Sequence, residues 1–234
     1  MKALILAGGL GTRLRSVVND RPKPMADVNG KPFLQILIEQ LRSQGIKEIV
    51  LSVGYMADRI ISYFGDGSLL GVRIEYSKEE KPLGTGGAIK NAYRLLKDEE
   101  EFLLMNGDTY VDLDYSWFFK KCSEQEGAAC LLVKKGSTKQ KAGVIEIADN
   151  YRVIGIREVE NASGFFYAGV SLLKKDVFNH MPESESFSFE YDFLPLLISH
   201  GVYACIFENR LWDIGTVEGY RSFLEWVNKV AGKV

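Results

Sequence analysis

The chain has 234 residues, 46% of them hydrophobic, which is enough to bury a substantial core in one large domain. Lys and Arg number 29 against 31 Asp and Glu, a formal net charge of -2 that removes the electrostatic pull non-specific nucleic-acid binding needs. Three widely spaced cysteines (Cys122, Cys130, Cys205) and two histidines (His180, His200) are too few and too scattered for a disulfide framework, a zinc knuckle, a His-rich metal centre or a Ser-His-Asp hydrolase.

Unpaired cysteines fit a reducing cytoplasm. The apolar start, Met1 to Ala7, is interrupted by Gly8-Gly9 long before the roughly 20 residues a membrane span requires, and it is too short for a signal peptide. No membrane segment is expected.

In chain order, short branched apolar runs at 2–7, 47–53, 72–76 and 101–105 alternate with helical patterns at 33–44, 56–64 and 85–97. Strand and helix taking turns favours an α/β fold with a mostly parallel sheet flanked by helices. In the first helix Leu34, Leu37, Ile38 and Leu41 fall on one stripe, and Gly45 stands where a left-handed cap belongs. After about residue 128 the pattern turns to strands at 128–133, 143–147, 151–157 and 165–173, with helices near 175–180 and 190–199. That half reads as a more antiparallel elaboration of the same sheet. With no repeat and no linker-like tract, a single domain over 1–234 is expected.

The first loop, Leu6-Ala7-Gly8-Gly9-Leu10-Gly11-Thr12-Arg13-Leu14, follows a buried strand directly. Glycines let backbone N–H groups approach phosphate oxygens closely, so the loop reads either as a phosphate cradle or as a strand-to-helix turn with no ligand. It is not a P-loop, since no Gly-Lys-[Ser/Thr] follows, and Leu14 stands where a dinucleotide fingerprint needs its third glycine. Arg13, Arg15, Arg21 and Lys23 follow within eleven residues, with Pro22 and Pro24 stiffening the backbone around Lys23. An arginine fork and a lysine point charge suit a polyphosphate whose charge shifts during reaction.

LAGGLGTRL at 6–14 followed by RPKPM at 21–25 resembles the signature of the sugar-1-phosphate nucleotidyltransferases, and VGY at 53–55, PLGTGGAI at 82–89, NGDTYVD at 106–112 and WDIGT at 212–216 appear in that family's order. The resemblance spans nearly the whole chain and implies a Rossmann-like, GT-A-like nucleotidyltransferase fold. A nucleotide-binding part would occupy about 1–125 and a sugar-binding part about 126–234. It further implies that Leu6, Ala7, Gly8, Gly9, Gly11, Thr12 and Arg13 hold the triphosphate with Gly84, Thr85, Asn106 and Gly107 alongside, that Arg13 and Lys23 act on the reacting phosphates, and that Asp108 and Asp213 hold Mg²⁺. The letters support the last point: Asp108 follows a buried apolar run at the carboxyl end of a predicted strand, and Asp213 sits in apolar surroundings where an acid needs a cation or strong donors. Capping of local turns is the alternative for both acids.

On the base side, Glu79 and Glu80 precede the PLGTGG segment. A carboxylate can accept from both donors of guanine's Watson–Crick edge, so GTP is the expected nucleotide, against an exposed charged turn as the bland alternative. On the sugar side the family's E-K-P motif is replaced by Arg157-Glu158-Val159, and its N-A-G by Tyr167-Ala168-Gly169. The resemblance implies that Glu158, Tyr167, Gly169 and Glu190 line the sugar, while the sugar phosphate must find another cation in place of the absent lysine, with Arg157, Lys174 or Lys175 as candidates. A sugar 1-phosphate of manno configuration is the expected partner, a heptose 1-phosphate ahead of mannose 1-phosphate, with uridylyl or thymidylyl transfer to glucose 1-phosphate further off. A regulatory subunit that binds nucleotide sugars without chemistry would be expected to have lost one of Arg13, Lys23, Asp108 and Asp213, and all are present. A homodimer through Trp117, Phe118, Phe119, Phe223 and Trp226 is weighed against core packing of the same aromatics, with packing the default.

Overall fold

The computed structural model describes residues 1–9, 11 and 21–231. Strand β1 (Lys2–Leu6) leads through the glycine-rich loop to a single 3₁₀ turn at Lys23–Met25, a small ribbon of β2 (Asp27–Val28) and β3 (Lys31–Pro32), and helix α1 (Phe33–Ser43). There follow β4 (Glu48–Val53), α2 (Ala57–Phe64), β5 (Arg73–Lys78), α3 (Gly84–Asn91), α4 (Tyr93–Leu96) and β6 (Glu101–Asn106). Strands β6, β1, β4 and β5 lie side by side in that order and all run parallel.

The second half begins with β7 (Thr109–Val111) and α5 (Tyr115–Ser123), then β8 (Ala129–Ser137), β9 (Ala142–Ile147), β10 (Val153–Val159) and the long β11 (Ser163–Lys174). Irregular helical turns at Lys175–His180 and Phe189–Phe193 lead into α6 (Leu194–Leu197), and β12 (Val202–Ile206), β13 (Leu211–Asp213) and α7 (Val217–Ala231) close the described chain. Strand β11 runs antiparallel to β6, β8 and β9, so the expected change from a parallel to a more antiparallel half occurs at this strand.

The sheet is buried on both faces because successive side chains point to opposite sides. Ala3, Ile5, Ile49, Leu51, Leu103 and Met105 pack toward α1, α2, α5 and α7. Leu4, Val50, Phe102 and Leu104 pack toward α3, α4 and α6. The stripe of α1 is wholly buried, and the helix ends as its sequence indicates: Gly45 takes φ +85°, its N–H donates to the Arg42 carbonyl at 3.0 Å, and the Ile46 N–H donates to the Leu41 carbonyl at 3.0 Å. Of the five aromatics weighed for a dimer face, Phe118 and Phe223 are completely buried and Phe119 and Trp226 pack against the same core. No helix among the described residues is long and apolar enough to cross a membrane.

Candidate active site

Strand β1 has β4 on one side and β6 on the other, and at the carboxyl end of such a switch point open α/β sheets leave a crevice. A cavity of about 630 Å³ lies there. Five segments distant in sequence line it: Leu6, Ala7, Gly8, Gly9 and Gly11 from the end of β1 and the loop after it, Lys23 from the 3₁₀ turn, Gly54 and Tyr55 after β4, Glu79, Glu80, Gly84 and Thr85 around the start of α3, and Asn106, Gly107 and Asp108 at the end of β6. Thr12 and Arg13 lie outside the described residues.

The floor is built by backbone meeting backbone. The Gly107 N–H donates to the Leu6 carbonyl at 3.0 Å, and a Cβ at Gly107 would stand 2.5 Å from that oxygen, so no larger residue fits. Tyr55, from the VGY segment to which no role was given by sequence, completes the wall: its N–H donates to the Gly8 carbonyl at 3.1 Å, and Ala7 N–H reaches the Ser52 carbonyl at 2.8 Å. Pro22 and Pro24 do hold Lys23 in place. The Met25 N–H donates to the Pro22 carbonyl at 2.8 Å and Pro24 is buried. The Lys23 ammonium forms an ion pair with the Asp108 carboxylate.

Asp213 arrives through a two-stranded ribbon. Strand β13 pairs antiparallel with β7, Asp213 stands opposite Thr109, and the Ile214 N–H donates to the Asp108 carbonyl at 2.9 Å. Asp213 Oδ1 accepts from the Gly215 N–H at 2.6 Å, while Thr216 caps α7 by accepting from the Gly219 N–H at 3.1 Å, so turn-making and any metal role coexist in this segment. Asp108 lines the cavity and Asp213 stands on the ribbon next to it, and carboxylates of this kind are donors Mg²⁺ takes, one or two at a time, with water and phosphate oxygens completing its octahedron. Among the described residues no group of three His, Cys, Asp or Glu is arranged to hold a metal.

Glu79 is anchored: Oε1 accepts from the Ser52 hydroxyl at 3.0 Å and Oε2 from the Leu83 N–H at 3.3 Å. Glu80 is exposed on the cavity rim. Glu190 lies in a widened helical turn, in which the Phe193 N–H donates to the Ser188 carbonyl five residues back at 3.1 Å. Burial, and secondarily the charge of Asp108, push the Glu190 carboxyl up to about 7.

The sugar-side expectations fare unevenly. Gly169, at φ +74°, lets β11 pass against Asn106, whose Nδ2 would lie 3.0 Å from a Cβ there. The Tyr167 hydroxyl is shared with Ser171 Oγ at 2.7 Å and its ring packs on Phe189 at 5.9 Å, so it supports the wall from behind, and burial drives its phenol well above the usual range. Glu158 forms an ion pair with Lys141, which immediately precedes the neighbouring strand β9, close to Tyr191. Lys174 stands away from the cavity. It pairs in register with Glu101, the first residue of β6, whereas the cavity opens five residues on, about 17 Å away at roughly 3.3 Å per residue. Lys175 bonds Glu100 at that same far end at 3.2 Å, and Arg157 pairs with Glu146 at 3.1 Å.

Residues 2–230 match the family model described as nucleotidyl transferase. A D-glycero-alpha-D-manno-heptose 1-phosphate guanylyltransferase of Campylobacter jejuni subsp. jejuni is 42% identical, over 96% of this chain and 99% of its own. One from Aneurinibacillus thermoaerophilus is 40% identical over 94% and 96%. HddC from Yersinia pseudotuberculosis, solved as a complex with GMP-PN, superposes with a TM-score of 0.84 at 36% identity, covering 97% of this chain and 99% of that one.

Proposed function

This chain belongs to the nucleotidyl transferase family, and from that premise we propose that it transfers GMP from GTP to a sugar 1-phosphate, D-glycero-α-D-manno-heptose 1-phosphate, releasing pyrophosphate and forming a GDP-heptose. The observation that carries this reading is the convergence, on one cavity, of the glycine loop, Lys23, Asp108 and the acidic stretch before α3. Likeness over nearly the full length of two heptose 1-phosphate guanylyltransferases supports the acceptor.

The sugar phosphate oxygen is already anionic near neutral pH, so no side chain has to create the nucleophile. It attacks the α-phosphorus in line, the bond to the bridging oxygen breaks, and pyrophosphate leaves with the electron pair. The loop glycines offer backbone donors to the triphosphate, while Lys23 and Arg13 face the phosphoryl oxygens as charge spreads over them. Asp108 and Asp213 would hold Mg²⁺, whose charge offsets that of the phosphates. Glu79 reads guanine by accepting from its paired donors, exchanging the Ser52 and Leu83 contacts of the free protein for the base. Glu190 and Glu158 take acceptor hydroxyls.

Three buried free cysteines suit a reducing cytoplasm, and the product suits surface polysaccharide synthesis. Pyrophosphate release measured with GTP, UTP, dTTP, CTP and ATP against heptose, mannose and glucose 1-phosphates tests the reading. GTP with the heptose should be fastest, and a preference for UTP would overturn the base assignment.

A further inference from the structure

The stretch from Pro182 to Glu190 is fastened at several points to α3 and to the residues just before it. The Gly86 N–H donates to the Phe187 carbonyl at 2.9 Å and the Phe187 N–H to the Leu83 carbonyl at 3.0 Å. Lys90 Nζ donates to the Pro182 carbonyl at 2.6 Å, and Lys81 pairs with Glu185. Backbones touch here: Gly84 has φ +69°, and a Cβ on it would meet the Phe187 carbonyl oxygen at 2.6 Å. Much of the glycine content of the PLGTGG segment therefore serves this seam rather than the cavity.

One contact in the seam reaches the site directly. Thr85 Oγ1 accepts from the Phe189 N–H at 2.8 Å. Phe189 opens the widened turn, where an amide has no partner within its own helix, and it is bonded directly to Glu190. The Phe189 ring is wedged between Tyr167 and Phe193, at 5.9 and 6.2 Å. With its ring packed and its amide held, Phe189 leaves the Glu190 backbone little freedom.

We propose that Thr85 is a positioning residue for the acceptor side: its hydroxyl holds the Phe189 amide and thereby aims Glu190, and it does not read the nucleotide although it stands on the nucleotide cavity's wall. This rests on Glu190 being an acceptor ligand. Helix α3 is then the part that joins the two substrates, with the base-reading segment running into it and the acceptor acid hung from it.

Thr85→Val keeps the shape and removes the acceptor, and Thr85→Ser keeps the acceptor. Initial rates with GTP and D-glycero-α-D-manno-heptose 1-phosphate should give Thr85→Val a KM for the sugar phosphate raised about tenfold and a KM for GTP within twofold of wild type, with Thr85→Ser near wild type in both. Amide hydrogen exchange at Phe189 should quicken in the valine variant alone. A rise in the GTP KM, equal behaviour of the two variants, or unchanged constants in Thr85→Val would overturn the proposal. If wild type releases no pyrophosphate with any sugar phosphate, the functional reading fails, and unchanged exchange at Phe189 would separately show that Thr85 does not hold the segment.

Discussion

Lys23 and Asp108, separated by 85 positions in sequence, form an ion pair on the cavity wall with their side chains only 15% and 23% exposed. The cation assigned to the phosphates thus neutralises, in the free protein, the acid assigned to the metal. On the proposed roles, nucleotide binding would have to separate them, freeing Lys23 for the phosphates and Asp108 for a cation.

Lys23→Met should therefore act in two directions. Turnover falls by about 10²-fold or more because a positioned charge is lost from the transition state. Mg²⁺ binding to the nucleotide-free protein, followed by calorimetry, tightens by about tenfold because Asp108 is released. Near-normal turnover would remove Lys23 from the mechanism, and unchanged Mg²⁺ affinity would remove Asp108 from the metal.

Glu190 makes stability depend on pH. Its carboxyl rises from 4.5 in the unfolded chain to about 7 in the fold, so between those values the folded state binds more protons and stability falls as pH rises. Glu190→Gln has no proton to lose and should escape that fall. Urea unfolding of metal-free protein at pH 5 and pH 8 should show the variant gaining about 1–3 kcal/mol on wild type across the interval. Parallel profiles would contradict a buried, proton-holding Glu190.

Much of the parallel half was legible because strands buried on both faces must be apolar almost throughout, and Ala3, Leu4, Ile5, Ile49, Val50, Leu51, Phe102, Leu103 and Leu104 say so. Strands β7 and β13 are three residues each, too short for a period to register, and they pair across about 100 positions. That the segments carrying Asp108 and Asp213 lie side by side was therefore carried by resemblance and not by pattern. Helix α5 did leave a readable signal: Asp114 caps it by accepting from the Ser116 and Trp117 N–H groups at 2.9 and 3.2 Å, and Tyr115, Phe118 and Cys122 fall on its buried stripe. Where Lys174 stands could not be read from sequence, because it is the antiparallel register of β11 against β6 that sets it opposite Glu101 at the far end of the sheet.

Gly219 lies in the first turn of α7 against Asp213, and a Cβ there would collide with the Asp213 carbonyl oxygen. Gly219→Ala should cost about 1–3 kcal/mol in chemical unfolding, and it should raise the Mg²⁺ concentration needed for half-maximal rate. A variant of full stability with wild-type Mg²⁺ response would show that β13 is not held in place by α7.

Glu79→Gln leaves the Ser52 and Leu83 partners in reach but replaces one acceptor oxygen by a donor. kcat/KM for GTP should fall about 10²-fold while UTP, slow in both proteins, changes little. An equal loss with every nucleotide would make Glu79 a scaffold for the loop and not a reader of guanine.

Guanylyl transfer itself is tested most directly by phosphorus NMR of the wild-type protein with GTP, Mg²⁺ and D-glycero-α-D-manno-heptose 1-phosphate. The expected result is loss of the sugar monophosphate and triphosphate signals in step with equal amounts of a sugar nucleotide diphosphate and pyrophosphate. Inorganic phosphate in place of pyrophosphate, or an unchanged spectrum, would contradict it.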